Sequence, residues 1–381
     1  MLLGFAITQH CNLRCPHCIR DDVETVRELE PELVGRILDD ALSLWGEVTV
    51  SLTGGEPLIH RRFTEIVETI ASRGVPYRFV TNGWHLKRVV PLLRRFPPQS
   101  VRLSLSGADE AVHDAERGRG SFRRVLLGVG ILTHLGIPSA LSIVVDRRDR
   151  HQLRDAVELA EALGCMAVHF ILPQPVTGSL ERGTDLDPAE WWDVAREVRA
   201  MAAEPGRRTR IQLDYGAPFE GEEPLCDTYG VRRVYVDSRA RLSTCCQLSD
   251  YGFNENDVVA DLRRVSLREA WPKYLERLEA QRVASARPAD GGDEFDTFPC
   301  IRCVRVTGKM EWARAYPHSP WSGAAVGSSR GRTTWLAIAP RAIGSSDVVV
   351  ASGSAHRARH DRSAVRSDHS GSVPCTSSST E

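Results

Sequence analysis

The sequence predicts an α/β fold: a partial (β/α)6 TIM-like barrel, then a small α+β domain, then a disordered C-terminal tail. Three observations carry this. From Leu2 to about Gln174, short apolar runs alternate with longer amphipathic ones. The residues with chemistry fall just past the ends of the short runs. After about Glu311 the chain becomes rich in Ser, Gly, Arg and His, and helical periodicity disappears.

The expected strands are Leu3–Thr8, Val48–Leu52, Tyr77–Thr81, Val101–Leu105, Ala140–Val145 and Ala167–Leu172. The segments Pro31–Leu44, Arg62–Ser72, Leu86–Arg94, Phe122–Leu135 and Leu153–Leu163 carry apolar residues at helical spacing. Consecutive β/α units imply parallel strands joined by right-handed crossovers, with the ligand site at the carboxyl ends of the strands. Cys11, Gly54, Asn82, Ser106 and Pro173 all fall at such ends, so one mouth collects them. Residues 187–203 read as a helix opened by Pro188. Ile211–Tyr215 and Val234–Val236 have hairpin character, and Asp261–Leu278 is helical. The expected domains are 1–205, 206–312 and 313–381, the last a disordered tail or an unnatural extension such as a shifted reading frame.

A chain of 381 residues with net charge −1 can bury a large core, and its charge favours neither nucleic acid nor an acidic membrane. No window approaches a membrane-spanning apolar run, and the N-terminus lacks a signal-peptide pattern. A reducing cytoplasm is therefore expected. The ten cysteines group as 11/15/18, 226/245/246 and 300/303, with Cys165 and Cys375 alone, which suits metal ligation better than disulfides.

Cys11, Cys15 and Cys18 form a C-x3-C-x2-C triplet directly after the first strand. Three thiolates can hold three irons of a [4Fe–4S] cube, leaving the fourth iron open for chemistry. A zinc site or small core cysteines are the bland alternative. Gly54-Gly55-Glu56-Pro57 follows the second strand, Thr81-Asn82-Gly83 the third, and Leu103-Ser104-Leu105-Ser106-Gly107 the fourth.

Triplet and turns together resemble the radical S-adenosylmethionine (SAM) superfamily. The resemblance implies a [4Fe–4S] cluster held by Cys11, Cys15 and Cys18, with SAM on its open iron, and a flavodoxin- or ferredoxin-type electron donor. It also implies that His17 packs near the adenine and that the Gly54, Gly55, Glu56, Pro57 turn receives the SAM amino group. Asn82, Ser104, Ser106 and Ser142 complete the cofactor contacts, although Ser106 stands where the family usually has aspartate.

Cys226, Cys245, Cys246, Cys300 and Cys303 resemble the family's auxiliary-cluster extension in its shorter "twitch" form, related to the longer SPASM form, which holds a second [4Fe–4S] cluster. Zinc is the alternative there. Cys226, Cys245, Cys300 and Cys303 are the expected ligands, because neighbouring side chains on an extended segment point to opposite faces. Cys246 is then the spare thiol, either inert or a catalytic hydrogen-atom donor to a substrate radical, which would invert a carbon.

Only ten residues precede Cys11, which favours a sugar-like small molecule over a peptide led in by an N-terminal domain. His113, Asp114, Arg117, Arg119 and His169 could supply polar substrate contacts. The resemblance further implies hydrogen abstraction from a carbohydrate-like intermediate of antibiotic biosynthesis, leading to epimerisation or oxidation. A ribosomal-peptide maturase is the alternative, and a non-catalytic Fe–S or zinc scaffold the second.

Overall fold

A computed structural model describes residues 1–20, 26–221, 224–288 and 292–325. One sheet organises them. Its strands are β1 (Leu2–Thr8), β2 (Thr49–Gly54), β3 (Tyr77–Thr81), β4 (Ser100–Leu105), β5 (Ser139–Val144), β6 (Ala167–Ile171), β7 (Arg210–Leu213), β8 (Arg233–Val236), β9 (Arg241–Ser243) and β10 (Val258–Asp261). The order across the sheet is β10-β9-β8-β1-β2-β3-β4-β5-β6-β7. Neighbours from β8 through β1 to β7 run parallel, and β9 pairs antiparallel with β8 and β10.

The ten α-helices are α1 (Pro31–Trp45), α2 (Phe63–Ala71), α3 (Val90–Arg95), α4 (Glu110–Arg117), α5 (Ser121–His134), α6 (Leu153–Ala162), α7 (Thr177–Arg182), α8 (Pro188–Ala203), α9 (Leu267–Ala284) and α10 (Pro299–Val306), counted among the described residues. Their starts follow from local chemistry. At α8 the Asp187 carboxylate accepts from Glu190 N at 2.8 Å while Glu190 accepts from Asp187 N at 2.9 Å, and Pro188 needs no donor there. Ser266 and Glu269 make the same reciprocal cap on α9.

Two faces of the sheet differ. Val101, Leu103 and Leu105 of β4 are fully buried, and a Cβ on Gly128 of α5 would lie 2.6 Å from Leu103 Cδ2, so this face packs on helices. Alternation then turns Ser100, Arg102 and Ser104 to the concave face.

The six expected strands are present, each within two residues of its predicted ends. Three expectations change. Ile211–Tyr215 belongs to no hairpin: β7 extends the barrel on the far edge beside β6, because its pairing partner is the Ala167–Phe170 run. Residues 206–312 do not stand apart, since β8 hydrogen-bonds to β1 and the described residues form one compact unit. Order also continues past residue 312. Trp321 is fully buried, its ring centroid 4.6 Å from that of Trp191, and its Nε1 donates to Leu186 O at 2.8 Å. Ser, Gly and Arg dominate beyond that point, but one indole with a hydrophobic seat suffices to fix the segment through Ala325. The remainder of the expected tail, and Cys375, lie outside the described residues.

Candidate active site

The triplet lies on the loop leaving β1. Cys18 N donates to Cys15 O at 3.0 Å, a tight turn that brings the last two thiols together, and Leu13 N donates to Cys11 Sγ at 3.4 Å. The thiols are close enough to oppose one another's ionisation. Burial first, then its neighbours, push Cys11 up to about 12, and burial likewise raises Cys15. Thiolates held this way are stabilised by an electropositive group between them, which the irons of a cluster provide. Among the described residues, no three His, Cys, Asp or Glu side chains converge tightly enough for a single ion. Thiolates that each cap a different iron of a cube stand further apart than ligands of one zinc.

The Gly54-Gly55 turn packs directly against the chain that leads into the triplet. A Cβ on Gly54 would lie 2.2 Å from Thr8 O, and one on Gly55 would lie 2.1 Å from His10 O. Glycine is required because the turn presses on the backbone leading into Cys11, and Gly55 N and Glu56 N donate to Thr8 O and His10 O. Glu56 is buried. Its carboxylate accepts from Thr81 Oγ1 and Asn82 N, both at 2.7 Å, and from Leu58 N at 3.2 Å. Glu56 thus ties the turns after β2 and β3 together; Pro57 begins a short 3₁₀ turn. Burial still pushes its carboxyl up to about 7. Asn82 Nδ2 donates to Asn12 Oδ1 at 2.9 Å, and Cys11 Sγ lies 4.0 Å away.

Arg117 connects the turn after β4 to the triplet. Its Nε donates to Ser106 Oγ at 2.8 Å, its Nη1 points at Cys15 Sγ at 3.8 Å, and its Nη2 lies 3.3 Å from His17 Nε2. His17 Nδ1 lies 2.5 Å from Glu116 Oε1. Burial lowers the His17 pKa, and Glu116 opposes this. Glu116 in turn pairs with Arg148, and these partners hold its carboxyl down to about 2. Both ring nitrogens of His17 are therefore engaged with protein. An aspartate at position 106 would meet Arg117; the serine meets it with a neutral acceptor and leaves the guanidinium's charge for Cys15.

Other expected contacts divide. Asp114 accepts from Gly120 N and Phe122 N, so it caps α5 and is spent there. His113 is fully buried and accepts from Ser106 N at 3.1 Å. Ser104 pairs with Ser142, and Ser142 with His169, across the concave face. Among the described residues, Arg119 makes no hydrogen bond or ion pair to the site.

The second cysteine set gathers from separate segments. Cys226 precedes β8, Cys245 and Cys246 follow β9, and Cys300 and Cys303 lie on α10. Cys245 feels the charge of Cys226, whereas Cys300 feels Cys303, Cys226 and Cys246. The hydroxyl of Tyr229 lies 2.9 Å from Cys303 Sγ. Cys246 Sγ donates to Tyr215 Oη at 3.6 Å, and the thiol is lowered to about 7 by Cys245, with Arg233 and Arg20 contributing. Cys246 thus borders both the other thiols and the concave face.

Sequence reasoning missed Arg78, Arg102, Arg233 and Tyr215 on or beside that face. The available signal was charge at alternate positions inside otherwise apolar strands.

Comparison with known proteins agrees with the fold. The family model described as the radical SAM superfamily matches residues 5–160. The AdoMet-dependent heme synthase of Methanosarcina barkeri is 30% identical over 216 residues, 56% of this chain and 60% of its own length. The Probable GTP 3',8-cyclase of Metallosphaera sedula is 26% identical over 309 residues, 74% of this chain and 96% of its own. The mycofactocin maturase MftC of Mycolicibacterium smegmatis is 33% identical over 165 residues, 42% of each chain. The chain thus spans well under two thirds of the maturase and just under two thirds of the heme synthase. Among solved structures, Streptococcus suis SuiB bound to precursor peptide SuiA superposes with a TM-score of 0.62 at 16% identity, covering 79% of this chain and 70% of that one. No described helix is long and apolar enough to cross a membrane.

Proposed function

We propose, from the premise that residues 5–160 are a radical SAM domain, that the chain is a radical SAM enzyme that modifies a peptide. The cluster and SAM, when bound, supply a 5′-deoxyadenosyl radical that abstracts hydrogen from the substrate. Cys11, Cys15 and Cys18 would hold the cluster, and the turns carrying Gly54–Pro57, Asn82, Ser104 and Ser106 would frame SAM. The observation that carries this reading is their convergence at one end of the sheet, with Glu56 fixing two turns and Arg117 facing Cys15.

A peptide replaces the sugar-like small molecule expected from the sequence. The maturase relative and the precursor peptide named with SuiB support it. Cys226, Cys245, Cys300 and Cys303 would hold a second cluster, whose protein-side support includes the Tyr229 hydroxyl at Cys303. Cys246, whose thiol lies 3.6 Å from the Tyr215 hydroxyl, would return a hydrogen atom to a substrate radical.

The experiment is anaerobic reconstitution with dithionite, SAM and candidate precursor peptides. 5′-Deoxyadenosine and a mass-shifted or epimerised peptide are expected. In the Cys246→Ala variant, 5′-deoxyadenosine continues to form while peptide product falls by about tenfold or more. Unchanged product would remove Cys246 from the chemistry, and absence of 5′-deoxyadenosine in the parent protein would overturn the enzyme reading.

A further inference from the structure

The interior of a closed eight-stranded barrel is usually filled by branched apolar side chains. Here the concave face carries guanidinium groups. Register fixes their positions: Gly4 pairs with Ser51 and Tyr235, Ser51 with Arg78, Arg78 with Ser100, and Val80 with Arg102. Leu2 pairs with Arg233. Since Leu103 faces α5, Arg102 and its row face the other way, and Arg78 and Arg233 share that row's side.

The contacts within this group leave charge over. Arg102 Nη1 donates to Asp214 Oδ2 at 2.8 Å, and its Nη2 lies 3.0 Å from His169 Nδ1, which itself lies 3.1 Å from Asp214 Oδ1. Arg233 stacks over the Tyr215 ring at 5.2 Å, stands 3.6 Å from Asp227, and buries its Nε without a hydrogen-bond partner. Arg78 has no ion-pair partner among the described residues; burial and the repulsion of Arg102 and Arg233 act on it together. Arg20 is nearby but is spent on Asp250 at 2.7 Å and on the Tyr235 hydroxyl.

Asp227 is shared with Arg232, whose Nε lies 3.4 Å from it, so the guanidiniums outnumber the carboxylates they face, and a buried donor is still to be satisfied. That excess suits a planar anion such as a carboxylate, which a guanidinium binds through two parallel hydrogen bonds. Tyr215 links the group to Cys246, at 3.6 Å from its thiol.

We propose that Arg78, Arg102 and Arg233 form a carboxylate-binding site on the concave face, which seats an acidic side chain of the substrate beside Cys246. The choice of substrate class rests on the peptide reading above. The site itself stands on the charge balance and on the unpartnered Arg233 Nε.

The test is calorimetric binding to the reconstituted full-length protein, with N-acetyl-glutamate N-methylamide as probe, its glutamine counterpart as the neutral control, and inorganic phosphate and GTP as competing anions. The glutamate probe should bind about tenfold or more tightly than the glutamine probe. Arg78→Gln should abolish that preference and Arg78→Lys retain part of it, each with an unchanged near-UV circular dichroism spectrum. Arg78 is the variant of choice because its removal breaks no described ion pair. Equal binding of the two probes overturns the site, and so does tighter binding of phosphate or GTP. The two readings fail separately: peptide modification without glutamate preference overturns only this site, and glutamate preference without peptide modification overturns only the maturase reading.

Discussion

The two cysteine regions are built by opposite means. Cys11, Cys15 and Cys18 sit on one loop, and the spacing between them sets their separation. Around them the fold adds constraints: glycines that fit against Thr8 and His10, the Glu56 tie, and Arg117 at Cys15. Cys226, Cys245, Cys246, Cys300 and Cys303 come from segments before β8, after β9 and on α10, so local structure holds only the pairs Cys245–Cys246 and Cys300–Cys303. Their support is tertiary. Lys309, just past α10, is almost fully buried; its ammonium pairs with Asp257 at 2.7 Å and donates to Tyr251 O and Asn254 O. Three donors meet three acceptors, and the loop after Cys246 is thereby fixed to the end of α10. A site encoded by spacing tolerates distant change; one encoded by packing does not.

The comparison can be broken most sharply at the triplet. Replacing Cys11, Cys15 or Cys18 with alanine should reduce 5′-deoxyadenosine formation by ~10³-fold or more, as for loss of any group the reaction requires. Iron analysis should show the second set still loaded. Loss of all iron would mean that the two regions do not assemble independently.

Next in size is Lys309→Met. It leaves Asp257 buried without its cation, at a cost of about 3–5 kcal/mol. Denaturant unfolding should show this, and iron at the second set should fall while the triplet keeps its share. Equal loss at both sites would remove the proposed difference in how they are held.

The smallest effect sharpens the triplet side alone. Glu56 is raised by burial from 4.5 to about 7 in the folded protein. The folded state then holds the proton more tightly than the unfolded chain. The stability this contributes is complete below about pH 4.5 and is lost as pH rises toward about 7, on the order of 3 kcal/mol in all. Glu56→Gln should flatten that part of the stability-against-pH curve, measured by denaturant midpoints between about pH 5 and pH 8. A wild-type curve as flat as the variant's would show that the donors from Thr81, Asn82 and Leu58 fully offset burial.

What was legible in the chain follows from how far apart the cooperating residues lie. Strand and helix alternation and the strand-end position of Cys11, Gly54, Asn82 and Ser106 are local patterns, and the structure repeats them. β7 is not legible in sequence because a short apolar run does not name its pairing partner: Ile211–Tyr215 resembles a hairpin arm until Ala167–Phe170 claims it. Trp321 was lost among Ser and Gly because its seat against Trp191 and Phe298 is remote in sequence.

By itself the sequence determined the three-thiol loop, the glycine turn after the second strand, and the order of strands that brings the turns to one mouth. Those depend on spacing and period, which a chain carries in its own coordinates. Only the tertiary structure decided that Glu56 serves the turns, that Arg117 faces Cys15, that Cys246 borders the concave face, and that Arg78, Arg102 and Arg233 share it. Each of those is an electrostatic pairing between segments far apart in the chain, and charge acts through space, not along sequence.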